Sequence, residues 1–131
     1  IADSIRFTGM VAHEEMPEYL AAADVGVATF EDTEAVSAKS PLKIAEYLAS
    51  GLPIVASRVG EVSRMVGEAG LLVPPGDSEA VAEAVLRILA DSDTIESLGR
   101  AARQRAEAIY NWDQTASNLI QAYRRGIQDY E

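Results

Sequence analysis

The sequence predicts an α/β fold, a parallel sheet of about four strands with flanking helices. Three observations carry that prediction. Short strand-like runs alternate with helical patterns along the chain, and no hairpin signal joins one run to the next. Pro53-Ile-Val-Ala-Ser57 is a continuous apolar run rich in β-branched residues, as expected of a strand covered on both faces. At 131 residues the chain has the size of one domain with a real core.

Taken in order, Ile5-Arg-Phe-Thr-Gly9 alternates apolar and polar and ends in Gly, the pattern of a short first strand. Glu14 to Ala23 is helical, with acids and Pro17 in its first turn. Asp24 to Phe30 gives a second strand. Residues 31–39 are small and polar with little periodicity, so they form a loop. That loop leaves the carboxyl side of a strand, the edge where open parallel sheets bind ligands. A helix and the strand at 53–57 follow. A turn at Gly60 then leads into a short helix over 61–66, and Gly70 to Pro74 is the fourth strand. Three helices close the chain. The first, about 78–90, carries a stripe of Val81, Val85, Ile88 and Leu89. The second starts at Asp93-Thr-Ile-Glu96, a capping-box-like signal, and sets Ile95, Leu98, Ala102 and Ile109 on one side. The third follows Asn111-Trp112-Asp113, with Trp112 expected in the core as its anchor. It carries Ala116, Leu119, Ile120, Tyr123 and Ile127.

The helix between the loop and the strand at 53–57 holds the candidate chemistry. Ser40 is expected to cap it, with Pro41 at the first helical position, Gly51 in a left-handed C-terminal cap and Pro53 ending it. Lys43 falls in the first turn, at the partially positive end of the macrodipole. That mismatch is worth only ~0.3–1 kcal/mol at an exposed site. A bound anion reverses its sign, because free N–H groups and Lys43 then converge on one charge. Glu46, one turn further on, can accept hydrogen bonds from hydroxyls. Phosphate at the tip and a sugar hydroxyl one turn down is the geometry of a nucleotide site. The spacing is equally that of a solvated i,i+3 Lys–Glu pair.

Composition removes several function classes. Eleven basic against 21 acidic residues give a net charge of −10, which argues against a nucleic-acid footprint or an anionic membrane surface. A local cationic site for one phosphate remains compatible with it. The absence of cysteine removes disulfides, a thiolate nucleophile and zinc–thiolate sites. No apolar run approaches ~18 residues, so an integral membrane protein is not expected. No signal-peptide pattern opens the chain, and a soluble, cytoplasmic domain is the expectation. His13, the single histidine, lies beside Glu14 and Glu15 and reads better as a solvated loop residue than as a base. Most of Arg103, Arg105, Arg124 and Arg125 are expected to be solvated on their helices. Ser37 and Ser40 have no histidine beside them to act as a base. The opening Ile-Ala-Asp, without Met, suggests a piece of something longer.

Five motifs in order resemble the second half of the C-terminal, donor-binding domain of GT-B-fold retaining glycosyltransferases. They are Phe7-Thr-Gly9, the segment from Met16 to Ala28, Ser40 to Ser57, Gly70-Leu-Leu-Val-Pro-Pro-Gly-Asp77, and Trp112 before the last helix. The resemblance implies a Rossmann-like sheet and a single partial nucleotide-sugar-binding domain over 1–131. It implies that Glu46 holds the ribose of a nucleotide-sugar donor. Ser40, Pro41 and the backbone N–H groups of Leu42 and Lys43 would cradle the diphosphate. No metal or resident cofactor is implied, the donor being a UDP-sugar or GDP-sugar.

The departures from the family pattern lie both within the motifs and upstream of them. The first glutamate of the family's Glu-x7-Glu motif falls on Ala38, which puts the donor-sugar contact in question, and Glu34 is a substitute four residues away. The Gly60-Glu-Val turn is shorter than usual, leaving Gly60 as a weak donor contact. The family's N-terminal acceptor domain and the first two strand–helix units of the C-terminal domain have no counterpart here. In the family strand order 3-2-1-4-5-6, this chain supplies strands 3, 4, 5 and 6. Unpaired edges then invite a displaced or swapped first strand, or a homo-oligomer. The expected function is donor binding within an enzyme that moves a hexose to an acceptor hydroxyl, the isolated chain being inactive. In the full-length protein, peripheral membrane association is compatible with that reading. Two alternatives remain: part of a GT-B-fold nucleotide-sugar epimerase, or a non-catalytic module that binds nucleotide or a partner.

Overall fold

A computed structural model describes residues 2–128. Its centre is β2 (Ile54–Ser57), all four residues of which are buried. The strand lies between β1 (Gly26–Ala28) and β3 (Gly70–Val73), and all pairing is parallel, in the order β1-β2-β3. Val27 stands beside Val55, and Val55 beside Leu71. Alternate residues of β2 serve opposite faces. Ile54 and Ala56 meet α3 (Leu42–Ala49) and α4 (Gly60–Val66), which contribute Ile44, Leu48, Val62, Met65 and Val66. Val55 faces the other way, into Ala84 and Ile88 of α5 (Ser78–Leu89) and Val73 of β3. The long helix α6 (Ser92–Ile109) ties the two faces together. Its Ile95 and Leu98 pack with α5, while Ala102 and Ala106 join the α3–α4 core.

The sheet has three strands, not about four. Ile5–Gly9 pairs with nothing among the described residues, and Ile5 and Phe7 are exposed. Its backbone joins no strand ladder among the described residues, and a strand is held only by a partner. Other expectations also fail. Trp112 is 86% exposed rather than core, and the apolar stripe of α7 (Trp112–Gln128) lies in solvent along with it. Residues 31–39 are not all loop, since Glu34–Ser37 form a short helix, α2, capped by Thr33, whose Oγ1 accepts the Val36 N–H at 3.3 Å. The early helix shortens to α1 (Met16–Ala21) after a 3₁₀ turn at His13–Glu15. The cap of α6 is Asp91, which accepts from the N–H groups of Asp93 and Thr94.

The end of α3 is fixed as its sequence requires. Gly51 has φ +69°, the Leu52 N–H donates to the Tyr47 carbonyl, and the Gly51 N–H donates to Leu48, both at 3.0 Å. Arg103 of α6 adds a third restraint, donating to the Ala49 carbonyl at 2.6 Å. Arg105 does the same for α4, with the Met65 carbonyl at 2.8 Å. These two arginines are therefore not merely solvated. Each places a cation at the negative end of a helix.

Candidate functional site

The carboxyl end of β1 leads through Thr29 and Phe30 into α2 and then to the tip of α3. Phe30 is fixed by its backbone: its N–H donates to the Oγ of Ser57 at 2.9 Å, and Ser57 is 1% exposed. The segment just beyond β1 and the last residue of β2 are thereby joined at the carboxyl edge of the sheet. Glycine is required at position 60 for the next piece. It has φ +37°, and a Cβ there would lie 2.4 Å from the Cα of Ser37. The head of α4 and the end of α2 thus touch backbone to backbone. Glu34 is exposed in the first turn of α2, and Ala38 ends that helix in a right-handed conformation.

The N-cap of α3 is Pro41, not Ser40. Pro41 is extended, with φ −67° and ψ 122°, and its carbonyl accepts the Ile44 N–H at 3.1 Å. A proline cap offers no side-chain acceptor. The N–H groups of Leu42 and Lys43 accordingly have no partner among the described residues. No acid stands in this first turn. The Lys43 ammonium instead lies over the Phe30 ring, 5.1 Å from its centroid. A cation on an exposed aromatic face gains ~0.5–1 kcal/mol. The macrodipole costs it ~0.3–1 kcal/mol, so the ring offsets the penalty of an unliganded lysine here.

Glu46 is half-buried on the same side of α3. It borders a largely apolar groove of about 290 Å³, formed against His13, Met16, Pro17, Leu20 and the end of α3 at Ala49 and Ser50. Next to it, Tyr47 lies over Gly26 and reaches the Val27 carbonyl with its hydroxyl at 3.4 Å. Burial raises the pKa of that phenol above its ordinary value, and the Glu46 carboxylate adds to the effect.

The structure therefore gathers Leu42, Lys43 and Glu46 on one eight-residue helix, while Ser40, Glu34 and Ala38 lie along the exposed approach to it. Sequence reasoning missed Phe30 beneath Lys43, the Ser57 anchor, and the groove that His13 shares with Glu46. The Phe30–Ser57 contact spans 27 residues and has no local signal. An aromatic residue closing a strand that points at a helix tip was the available hint. Among the described residues, no cluster of three or more His, Asp or Glu could hold a metal, and no helix is long and apolar enough to cross a membrane.

Comparison with known proteins shows which family and fold the chain shares. The chain is 33% identical to a GDP-mannose-dependent alpha-(1-6)-phosphatidylinositol monomannoside mannosyltransferase of Mycobacterium tuberculosis, over 95% of this chain and 33% of that protein. It is 36% identical to a D-inositol 3-phosphate glycosyltransferase of Corynebacterium urealyticum, over 95% of this chain and 28% of the relative. A solved sucrose-phosphate synthase from Thermosynechococcus elongatus superposes with a TM-score of 0.82 at 36% identity, covering 97% of this chain and 31% of that one. The chain thus spans about a third of the length of these relatives. The family model of the glycosyl transferases group 1 matches residues 1–91, and this chain belongs to that family.

Proposed function

We propose that this chain is the donor-binding part of a retaining, metal-independent glycosyltransferase that moves a hexose from a nucleotide-sugar to an acceptor hydroxyl. The observation that carries the reading is the tip of α3. Two unpartnered N–H groups, a lysine ammonium and, one turn on, a half-buried carboxylate share one helix. On this reading Leu42 and Lys43 hold the diphosphate, Ser40 and Pro41 shape the approach, and Glu46 accepts from the ribose hydroxyls.

During transfer the bond between the sugar C1 and the diphosphate oxygen breaks, and its electron pair leaves with the diphosphate. The acceptor oxygen bonds to C1 and passes its proton to the departing diphosphate oxygen. Charge grows on the diphosphate, where pre-placed N–H groups and Lys43 stabilise it without reorganising. The helix end and Lys43 supply the positive potential that a metal would otherwise provide. The acceptor and the groups that orient it belong to the rest of the protein, placed in the cytoplasm or at a membrane surface. Ala38 favours a second reading, a non-catalytic nucleotide-binding module, because a methyl group cannot accept a hydrogen bond from the donor sugar. Unchanged transferase activity of the whole protein after Glu46→Ala would support that module.

The test is a calorimetric titration of the chain with GDP, UDP and ADP. GDP comes first because the M. tuberculosis relative is named as GDP-mannose-dependent. Saturable binding of one of them, weakened about tenfold or more in Glu46→Ala, is expected, since a hydrogen bond to a charged group is worth ~1.5–3 kcal/mol. Binding that Glu46→Ala leaves unchanged would refute the assignment.

A further inference from the structure

We propose that Phe30 is a positioning residue for Lys43, holding the ammonium over its ring so that the cation is already in place when a diphosphate reaches the tip of α3. The proposal rests on the donor-site reading above and adds to it a residue and a means of pre-organisation.

Three observations support it. The Lys43 Nζ lies 5.1 Å from the ring centroid, inside the ~6 Å range of a cation–π contact. No carboxylate pairs with Lys43 among the described residues, whose ion pairs are Arg64–Glu61, Arg100–Glu96 and Arg103–Glu107. The ring is therefore the one partner observed for this cation among the described residues. Phe30 is itself immobilised, by the 2.9 Å bond from its N–H to buried Ser57 and by packing of its ring against the α3–α4 core.

A lysine has four rotatable side-chain bonds and loses much freedom when it is fixed on a ligand. A ring that restricts it beforehand lowers that loss on binding. The contact also leaves the ammonium charge intact, and Lys43 stays exposed. A carboxylate partner would restrict Lys43 equally well, but it would cancel the charge that an anion requires.

The test uses the chain with whichever of GDP, UDP and ADP it binds, and with the matching nucleoside. Phe30→Leu keeps an apolar side chain against the core and removes the π face. It should weaken the diphosphate about two- to fivefold and leave the nucleoside unchanged. Phe30→Tyr, which keeps the face, should bind both like the parent. In a Lys43→Met background, Phe30→Leu should cost nothing further, as a double-mutant cycle requires of a coupled pair. Thermal melts check that each variant folds, and Phe30→Met replaces Phe30→Leu if the latter does not.

Diphosphate affinity unchanged in Phe30→Leu would overturn the proposal and leave the donor site standing. Equal weakening of nucleoside and diphosphate would assign Phe30 a merely structural role and overturn it too. The same loss in the Lys43→Met background would do likewise. If the parent chain binds none of the three diphosphates, the donor-site reading falls and this inference falls with it.

Discussion

Ser57→Ala is the sharpest test of how the candidate site is held. Ser57 is 1% exposed, and its Oγ accepts the Phe30 N–H at 2.9 Å from the neighbouring strand's end. Alanine fits the same space but leaves that N–H without an acceptor. An orphaned buried donor costs ~1–3 kcal/mol. The donor here is only partly buried, and the serine hydroxyl no longer has to be desolvated, so the lower half of that range applies. At this chain length each kcal/mol corresponds to roughly 3–5 °C, giving an expected fall in Tm of about 3–10 °C. Urea denaturation should show a lower midpoint at unchanged slope, because the surface exposed on unfolding is the same. Amide exchange at Phe30 should accelerate ahead of exchange in β2. A variant as stable as the parent to within ~0.3 kcal/mol, with Phe30 exchange unaltered, would refute the claim that this bond fixes the sheet edge.

Three further outcomes follow from single contacts. Gly60→Ala puts a methyl group 2.4 Å from the Cα of Ser37 at φ +37°, and should cost about 1–3 kcal/mol by urea denaturation, where a neutral result would show that α2 simply moves aside. Arg103→Met removes the cation from the Ala49 carbonyl and should cost ~0.3–1 kcal/mol, whereas Glu107→Gln, which breaks only the exposed Arg103–Glu107 pair, should cost less. Equal losses from the two would locate the effect in the ion pair. Tyr47 has a folded pKa above its ordinary 10.0, so its stabilising contribution is complete below about pH 10 and is lost as pH rises through the folded pKa. Tyr47→Phe should flatten the stability profile above pH 10 and leave its shape unchanged below, as read by denaturant titration at several pH values.

The legible parts of this fold are those whose signals lie within a few residues. The end of α3 needed only Gly51 and its neighbours to form its cap, and the burial of β2 followed from four consecutive apolar or small residues. That Lys43 and Glu46 sit one turn apart on α3 was readable from their spacing, although no ion pair joins them among the described residues. What failed depended on what lies opposite. Ile5–Gly9 has a strand's alternation, but a strand forms only against a partner. The stripe on α7 is a true helical stripe, and periodicity reports that a face is apolar without saying what covers it. Arg103 and Arg105 looked like surface charges because the carbonyls they meet are 54 and 40 residues away. The start of α3 was misplaced by one residue for a local reason. Proline suits the first helical turn, and at position 41 its extended ψ of 122° makes it the cap instead.

The charge balance of the chain constrains how the proposed site can select its ligand. Twenty-one acids against eleven bases repel any anion at long range, although salt cuts that repulsion beyond ~8 Å under physiological conditions. On the proposed reading, attraction comes from the α3 tip, where the macrodipole presents about half a positive charge and Lys43 adds one more. A bare anion gains only those contacts. On the same reading a nucleoside diphosphate also reaches Glu46, whose hydrogen bonds to hydroxyls would be charge-assisted and worth ~1.5–3 kcal/mol. Pyrophosphate should therefore bind at least about tenfold more weakly than the nucleoside diphosphate. Glu46→Ala should close most of that gap by weakening the nucleotide while leaving pyrophosphate unchanged or slightly tighter, since it removes a neighbouring negative charge. Competition calorimetry separates these outcomes. Pyrophosphate binding as tightly as the nucleotide would show that the helix tip alone accounts for recognition and that Glu46 has no part in it.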